Sequence, residues 1–261
     1  MDLGLSGKRV LVLGASQGLG EAIAKGFLAE GAPVIAAARS VEKIEAWRAV
    51  LPQEQAARCR VIAVDLADPA SVAALADTVL AEGGVDVLIN NGGGPAPGGV
   101  LAQGPQVWAS AFAAMAESLF VLTARLIEPM LQRGWGRIIT VGSSGVEQPI
   151  PTLAVSNTIR ASVAGWSKSL ATEVAGRGVT VNMLLPGRIA TPRVASLDAT
   201  RAARAGLDVE EVRRQSMAEI PAGRYGRPEE FAAVAVFLAS EQAGYVTGSM
   251  IRVDGGMIRA V

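Results

Sequence analysis

Histidine is absent from this sequence of 261 residues, and cysteine occurs only once, as Cys59. Without histidine the chain cannot carry out Ser-His-Asp hydrolysis or form the commonest zinc sites. One cysteine cannot form an intrachain disulfide and supplies too few thiolates for a cysteine-based metal site, so the sequence predicts no metal. Tyrosine is scarce as well: the chain has two, Tyr225 and Tyr245, both towards the C-terminal end.

Net charge is also lacking, because 24 basic residues balance 24 acidic ones. Zero formal charge gives no general attraction to nucleic acid or to a membrane surface, and we predict neither partner. No apolar run reaches the length needed to span a bilayer, and the N-terminus leads into the first strand without a signal-peptide pattern. The expected location is therefore the cytoplasm.

Strand-like and helix-like segments alternate along the chain. Short apolar runs typical of buried strands lie at 8–13, 34–37, 61–64, 85–89, 137–141 and 179–184, and helical patterns at 42–51, 69–82, 105–133, 155–177 and 228–239. This alternation predicts an α/β fold with one parallel sheet covered by helices on both faces. Hydrophobic residues make up 50% of the chain and no polar linker divides it, so a single domain over 1–261 is expected.

A glycine cluster joins the first strand to a helical pattern. It reads Gly14, Ala15, Ser16, Gln17, Gly18, Leu19 and Gly20. Glycines at such a turn let backbone N–H groups approach a diphosphate, which then lies at the positive end of the helix dipole. A simple strand-to-helix turn is the alternative interpretation, since a glycine cluster alone is a weak signal.

Further motifs follow in the order found in one known family. They are Asp65-Leu66 after the third strand, Asn90-Asn91-Gly92-Gly93 after the fourth, Pro186-Gly187 with Ile189 and Thr191 after the sixth, and C-terminal stretches at 220–224 and 245–256. Together with the glycine cluster they resemble the short-chain dehydrogenase/reductase family over nearly the whole chain. The resemblance implies a Rossmann-type, doubly wound sheet of about seven strands that binds a nicotinamide dinucleotide through these motifs.

The resemblance also assigns parts of the dinucleotide to these motifs. Asp65-Leu66 would meet the adenine, and the Pro186–Thr191 segment would hold the nicotinamide carboxamide. The end of the second strand offers no carboxylate for a free ribose 2′-hydroxyl, whereas Arg39 and Ser40 suit a 2′-phosphate. NADP(H) is therefore favoured over NAD(H). The alternative is that Arg39 pairs on the surface, and Gln17 adds no second positive charge in the glycine turn.

The catalytic group of the family consists of an asparagine, a serine, a tyrosine and a lysine four residues after the tyrosine. Ser143 fits the serine position. Thirteen residues further along, Ser156 stands at the tyrosine position and Arg160 at the lysine position, while Met115 falls at the asparagine position. The resemblance therefore implies a site built on Ser143, Ser156 and Arg160, with the other members of the group replaced.

Replacing the tyrosine changes the chemistry, because the tyrosine normally supplies the proton when a carbonyl is reduced. A serine hydroxyl is far less acidic, and Arg160 is too firmly protonated to relay protons, although it could hold the cofactor ribose or stabilise an oxyanion. General acid catalysis contributes about 10²- to 10⁴-fold in rate, so its loss would slow hydride transfer without forbidding it. The alternative is that Ser156 and Arg160 only fill space.

Three functional hypotheses remain open at this point. The first is a reductase that uses Ser143 and Ser156 as hydrogen-bond donors to an activated carbonyl or a conjugated enone, whose enolate water can protonate. The second is an ordinary 3-oxoacyl or alcohol-type carbonyl reductase, which the overall similarity favours and the missing tyrosine opposes. The third is a non-catalytic protein that binds the cofactor or acts as a scaffold. In the first two the partner is a small-molecule substrate.

The segment from about 192 to 222 is expected to form a mobile lid over the nicotinamide. It is rich in arginine, with Arg193, Arg201, Arg204, Arg213 and Arg214, and Arg188 lies just before it. Glu210 and Glu211 are spaced to pair with lid arginines as on an ordinary solvated helix. Arg188 is therefore the arginine that we expect to face an anionic substrate.

The segments 105–133 and 155–177 carry more apolar residues than one face of a sheet should need. They are Phe112, Met115, Leu119, Phe120, Leu122 and Leu126 on the first, and Val163, Trp166 and Leu170 on the second. Such a surplus favours a subunit interface, and the family resemblance implies a homotetramer or homodimer paired through these helices. Burial within the monomer is the alternative.

Overall fold

A computed structural model describes residues 2–260 of the chain. Its centre is one parallel sheet of seven strands in the order β3-β2-β1-β4-β5-β6-β7. The strands are β1 (Val10–Leu13), β2 (Val34–Ala38), β3 (Cys59–Ala63), β4 (Val87–Asn90), β5 (Gly136–Val141), β6 (Val179–Pro186) and β7 (Met250–Val253). The chain reverses its direction of travel across the sheet between β1 and β4, and ligands of open α/β sheets bind at such a point.

Ten α-helices cover the sheet within the described residues. They are α1 (Gly18–Ala29), α2 (Val41–Arg48), α3 (Gln53–Ala57), α4 (Pro69–Ala81), α5 (Pro105–Phe112), α6 (Ser118–Arg133), α7 (Ala154–Val174), α8 (Pro192–Ala205), α9 (Val209–Ala218) and α10 (Pro228–Ala239). A π-helical turn at Ala113–Glu117 connects α5 and α6 into one long helical segment. The fold confirms the predicted single-domain, Rossmann-type α/β architecture with helices on both faces.

Two hydrophobic layers hold the helices to the sheet. Alternate residues of a strand point to opposite faces, so Val10 and Val12 join one layer while Leu11 and Leu13 join the other. The first layer contains Phe27 and Phe231, from α1 and α10. The second contains side chains of α4 and α6, such as Leu75 and Leu122. Because both faces are covered, the central strands are continuous apolar runs, as the sequence patterns showed.

Local signals in the sequence explain several element boundaries. Asp68 caps α4, since its carboxylate accepts a 2.9 Å hydrogen bond from the Ala70 N–H, and Pro69 occupies the first helical position. The predicted helix at 42–51 ends earlier, at Arg48, and a separate short helix, α3, follows it. The helices α8 and α9 were not predicted individually, because they are polar and lie inside the segment that we expected to form a lid.

The segment 105–133 corrects the expectation that no stretch reaches membrane-spanning length. By length and composition alone this segment could span a membrane, since its most apolar window has a mean hydropathy of 1.5. Its inner face, including Leu122, Leu126 and Met130, is fully buried against the sheet layer. On the side that faces α4, Arg125 forms an ion pair with Asp77. The segment therefore has the contacts of a core helix whose outer face is partly apolar.

Candidate functional site

A deep cleft of about 1470 Å³ lies at the carboxyl edge of the sheet. The turns that follow β1 to β6 form its floor and sides, and α8 borders it. In a parallel sheet these turns all emerge at the same edge, so residues far apart in sequence meet there. The predicted site residues that line this cleft are Gly14, Ser16, Gln17, Gly18, Leu19, Arg39, Ser40, Asp65, Leu66, Asn91, Gly92, Gly93, Ser143, Ser156, Arg160, Pro186, Gly187, Ile189 and Thr191.

The glycine turn after β1 owes its shape to two residues with positive φ. Gly14 has φ of 62° and Gly18 has φ of 63°, a region that residues with a Cβ rarely adopt. The Asn91 amide donates a 3.0 Å hydrogen bond to the Leu13 carbonyl, which fastens the turn after β4 to the glycine turn. A Cβ on Gly14 would lie 2.7 Å from Asn91 Nδ2, so this contact needs glycine.

Gly20 differs from the other predicted cofactor residues, because it is buried and does not line the cleft. A Cβ at this position would collide with the backbone carbonyl of Gly14. Gly20 therefore allows α1 to approach the turn closely. Its contact with the cofactor stays a prediction.

Thr191 connects the glycine turn to the start of α8. Its hydroxyl oxygen accepts a 3.4 Å hydrogen bond from the Val194 N–H and caps the helix. Its side chain also lies against Gly18, where an added Cβ would be 3.4 Å from Thr191 Cβ. The turn that would hold a diphosphate and the segment predicted as a lid are thus in direct contact.

At one end of the cleft, a positive surface surrounds the carboxyl end of β2. Arg39 and Ser40 line it, and Arg39 has no ion pair within residues 2–260. Lys43, in the first turn of α2, also lines the cleft and donates a 3.1 Å hydrogen bond to Gln17 Oε1. Sequence reasoning missed Lys43, although its position one helical turn after Ser40 is a readable signal. It supplies the second positive charge that Gln17 lacks.

Two serine hydroxyls line the cleft near its centre. The Ser143 hydroxyl oxygen accepts a 3.0 Å hydrogen bond from the Gly145 N–H, which leaves its own proton free to be donated. Ser156, in the first turn of α7, is 8% exposed, and its hydroxyl has no partner within the described residues. Both groups can therefore donate a hydrogen bond to an oxygen atom placed in the cleft.

Arg160 lies deeper, one turn further along α7. Its guanidinium donates to two backbone carbonyls, Val141 O at 2.7 Å and Gly92 O at 3.5 Å. Burial, and secondarily the neighbouring positive charge of Arg193, lower the pKa of Arg160 to about 10. It remains protonated at neutral pH. No carboxylate lies within 4.0 Å of it in the described part of the chain.

Neither tyrosine is placed to replace the proton donor of the family. The Tyr225 hydroxyl donates a 2.8 Å hydrogen bond to Asp198, and Tyr245 is fully exposed. Within residues 2–260, neither of them lines the cleft. Met115, which falls at the family's asparagine position, lies in the π-helical turn and lines the cleft with its thioether chain, which is not a hydrogen-bond donor.

One wall of the cleft consists of two loops that are joined by a backbone hydrogen bond. The loop that follows the Asn90–Gly93 turn contributes Pro95 and Pro97, and its Gly98 N–H donates a 2.6 Å hydrogen bond to Thr152 O. Thr152 has φ of 66°, an uncommon conformation for a residue with a branched Cβ. Asn157 of α7, which sequence reasoning did not identify, fixes the second loop by bonding both the N–H and the C=O of Ile150, at 3.3 and 2.9 Å.

The lid arginines differ in their partners. As predicted, Arg213 and Arg214 pair with Glu210 and Glu211 on the surface of α9. Arg188 lines the cleft, and it donates a 2.6 Å hydrogen bond to the buried carboxylate of Asp198, which offsets its charge. Its contact with an anionic substrate stays a prediction. Arg193 instead has no carboxylate partner within residues 2–260, and its guanidinium bonds the Pro95 carbonyl at 2.7 Å.

Comparisons with known proteins agree with this architecture. A family model described as Enoyl-(Acyl carrier protein) reductase matches residues 14–258. The 3-oxoacyl-[acyl-carrier-protein] reductase of Escherichia coli (strain K12) is 36% identical over 256 residues, which cover 98% of this chain and 99% of that protein. The crystal structure of L-sorbose reductase from Gluconobacter frateurii, in complex with NADPH and L-sorbose, matches with a TM-score of 0.94 and 34% identity over 100% of both chains.

A second solved structure is also similar. YwfH, described as an NADPH-dependent reductase involved in bacilysin biosynthesis, matches with a TM-score of 0.91 and 29% identity, covering 98% of this chain and 100% of that one. The family model and the curated relative each span almost the entire sequence, including the glycine turn, the cleft and the lid. The chain therefore belongs to the short-chain dehydrogenase/reductase family of oxidoreductases.

Proposed function

We propose that the protein is an NADP(H)-dependent reductase that acts on an activated carbonyl or a conjugated enone without a tyrosine proton donor. The proposal rests on which side chains line the cleft and which do not. Two free serine hydroxyls and the unpaired guanidinium of Arg160 lie in it, and both tyrosines lie outside it. These groups can stabilise negative charge on a substrate oxygen, and none of them is an efficient acid at neutral pH.

The residues present fit a dinucleotide with a 2′-phosphate. Gly14 and Gly18 leave the backbone of the first turn open at the N-terminus of α1, where a diphosphate binds favourably. Arg39, Ser40 and Lys43 offer two cations and a hydroxyl at the other end of the cleft. When bound, the reduced nicotinamide would supply hydride. The NADPH named in the L-sorbose reductase and YwfH structures supports this preference.

The side chains of the protein would bind and polarise the substrate. Ser143 and Ser156 would donate hydrogen bonds to the substrate oxygen, and the positive charge of Arg160 would favour the negative charge that develops on it. The bonds from Arg160 to Val141 O and Gly92 O hold the guanidinium in place, so little reorganisation is needed during the reaction. Asn91, tied to Leu13 O, would keep the turn beside it rigid.

A conjugated enone suits this site better than a simple ketone. In an enone, reduction at the β-carbon delocalises the charge over an enolate, which water protonates without a positioned acid. A simple ketone yields an alkoxide that needs a proton at once. Loss of a general acid lowers the rate of a reaction that needs one by about 10²- to 10⁴-fold. Reduction of the ketone should therefore be slowed much more than reduction of the enone.

The direct test measures NADPH oxidation with a matched pair of probes, 2-cyclohexenone and cyclohexanone, together with NADPH and NADH titrations followed by fluorescence. We expect tighter binding of NADPH than of NADH, and faster turnover of the enone than of the ketone. The variant Lys43→Gln should reduce the preference for NADPH, while Lys168→Gln, on α7 away from this end of the cleft, should not. Equal turnover of both probes would contradict the enone proposal.

A 3-oxoacyl-type carbonyl reductase is the second candidate, favoured by the 36% identity to the Escherichia coli enzyme. The double variant Ser156→Tyr with Arg160→Lys distinguishes the two candidates. If the remaining site still suits ketones, this variant should gain activity on a 3-oxoacyl thioester. Failure of the wild-type protein to bind either dinucleotide would leave the non-catalytic scaffold as the remaining hypothesis.

The lid, the assembly and the location belong to the same proposal. We infer that α8 and α9, within the segment 192–222, close over a small-molecule substrate.

We also infer that subunits contact one another through the outer faces of α5 to α7 and form a homodimer or homotetramer. The stacked rings of Phe120 and Trp166, with centroids 4.6 Å apart, lie in this partly buried apolar surface. A buried free Cys59 needs no oxidising compartment, which supports a cytoplasmic location.

A further inference from the structure

Four arginines that line the cleft have no carboxylate partner within residues 2–260. Arg39 and Arg204 are exposed to water, whereas Arg160 and Arg193 are partly buried. The other arginines of the lid region are paired. Arg188 pairs with Asp198, Arg201 with Glu219, Arg213 with Glu210 and Arg214 with Glu211. For Arg160 and Arg193, no carboxylate lies within 4.0 Å in the part of the chain that the structure describes. Both side chains line the same cleft. A charge removed from water is costly unless an opposite charge or strong hydrogen bonds compensate it.

The two guanidiniums also repel each other. The positive charge of Arg193 lowers the pKa of Arg160, in addition to the larger effect of burial, and burial lowers the pKa of Arg193 as well. An anion between them would relieve both effects. Each guanidinium has five N–H donors, whereas Arg160 uses its bonds to Val141 O and Gly92 O, and Arg193 uses one to Pro95 O. Donors therefore remain on both side chains for a ligand.

We propose that Arg160 and Arg193 together bind a carboxylate group of the substrate, so that the substrate is a short oxo acid or enone acid. This inference rests on the proposed reductase function. Ser143 and Ser156 line the same cleft and would bind the substrate oxygen that gains charge, while the arginine pair would bind the carboxylate. The charge of Arg160 would act on that oxygen only from a distance. A guanidinium recognises a planar carboxylate through two parallel hydrogen bonds, which adds orientation to charge.

The cofactor diphosphate is the competing source of negative charge. It would lie at the glycine turn, next to Thr191. Arg193, by contrast, turns away from that turn towards Gly94 and Pro95, where a Cβ on Gly94 would lie 3.1 Å from Arg193 Nη2. These residues follow the Gly92-Gly93 turn and form the wall of the substrate side. Their position favours a substrate anion over the diphosphate.

The test uses 4-oxopentanoate and its methyl ester, titrated into the complex of the protein with NADP⁺ and followed by ligand-observed NMR. The oxidised cofactor cannot reduce either probe, so binding is measured without turnover. We expect the acid to bind about tenfold more tightly than the ester, since one charge-assisted pair is lost with the ester. Arg193→Gln should remove most of this preference, Arg193→Lys should keep part of it, and the control Arg214→Gln should keep all of it.

Two results would overturn the inference. The first is equal binding of acid and ester by the wild-type protein. The second is an unchanged preference for the acid in Arg193→Gln. If that variant also lost about tenfold in NADPH affinity, Arg193 would be assigned to the diphosphate. If the wild-type protein binds no NADP⁺, the proposed function fails. The acid and the ester would then be titrated into the protein without dinucleotide, and their relative affinities would show whether the arginine pair binds a carboxylate.

Discussion

Ser143 illustrates how one hydrogen bond can set the role of a side chain. Because its oxygen accepts from the Gly145 N–H, the hydroxyl proton points away from that partner and is available for a substrate. A Cβ on Gly145 would also collide with the side chain of Asn157, so the backbone that orients Ser143 is itself packed tightly. The hydroxyl is thus a donor held in a fixed position, as required for electrostatic stabilisation of an oxyanion.

Substituting Ser143 by alanine should lower kcat for 2-cyclohexenone by about 10²-fold, the usual effect of losing one oxyanion donor. The affinity for NADPH should remain unchanged, because the cofactor residues are not altered. Steady-state kinetics and a fluorescence titration would check both expectations. Ser169→Ala, an exposed hydroxyl on α7, is the matched control. A kcat equal to that of the control would remove Ser143 from the mechanism.

Cys59 should be unreactive in the folded protein. Burial raises the pKa of its thiol to about 11, so little thiolate is present at neutral pH, and the side chain is 5% exposed. A thiol reagent such as 5,5′-dithiobis(2-nitrobenzoic acid) should label it only after unfolding in denaturant. Rapid labelling of the native protein would show that the β3 edge opens far more easily than its packing suggests.

At the scale of elements, the sequence predicted the parts of the fold that follow from local periodicity. The buried strands and the helices α4, α7 and α10 were placed within a few residues, because their apolar patterns and capping residues are local signals. The lid helices were missed, since α8 and α9 are polar and depend on tertiary pairs such as Arg188 with Asp198. The ion pair of Arg188 was missed for the same reason: its partner lies ten residues away, which no helical spacing reveals.

The start of α10 depends on one carboxylate. Glu230 accepts a 2.7 Å hydrogen bond from the Arg227 N–H and two from Arg224, which together lower its pKa from the ordinary 4.5 to about 2. The folded state therefore gains stability from ionised Glu230 above about pH 4.5, and this gain is lost as the pH falls towards 2.

Glu230→Gln should consequently unfold at a lower temperature than the wild-type protein at neutral pH, and the difference should shrink as the pH is lowered from about 5 to about 3. Thermal denaturation followed by circular dichroism would measure it. The variant Glu229→Gln changes the adjacent exposed carboxylate and serves as the control. A difference that stays constant with pH would mean that the cap acts through hydrogen-bond geometry and not through charge.

Gly20→Ala should destabilise the junction of β1 and α1, because the new methyl group would meet the Gly14 carbonyl. We expect a cost of about 1–3 kcal/mol, as for other overpacked sites, and weaker NADPH binding through the displaced turn. Gly176→Ala, where a Cβ would meet nothing within 4 Å, is the control and should be close to neutral. Urea unfolding and NADPH titration would test the pair. An unchanged unfolding midpoint would show that the turn adapts.

At the scale of the whole molecule, the question is what covers the outer faces of the long helices. Of the residues named from sequence, Leu119, Leu122, Leu126 and Val163 are core residues, and Phe112 is 41% exposed. The others, Met115, Phe120, Trp166 and Leu170, are partly buried. Val121, which was not named, is 47% exposed. Phe112 packs edge-to-face on Phe120, with ring centroids 6.3 Å apart. Such a patch of aromatic rings is typical of an interface between subunits.

Phe112→Glu should therefore reduce the assembly to smaller species, because a carboxylate would be buried without a partner in the interface. Size-exclusion chromatography with light scattering would report the mass of the wild-type protein and the variant. Val50→Glu, an exposed position at 79% on another surface, is the control. If the wild-type protein is already a monomer of 26.8 kDa, the interface proposal is wrong.

The contact between Thr191 and Gly18 has a consequence for the order in which ligands bind. The glycine turn would receive the diphosphate, and the same threonine starts the helix that carries Arg193 across to Pro95. Filling the turn would thus fix the start of the lid before the lid meets a substrate. In kinetic terms this arrangement favours a compulsory order, dinucleotide first and oxo compound second. In product-inhibition experiments, NADP⁺ should then inhibit competitively against NADPH, and no other pair of substrate and product should be competitive.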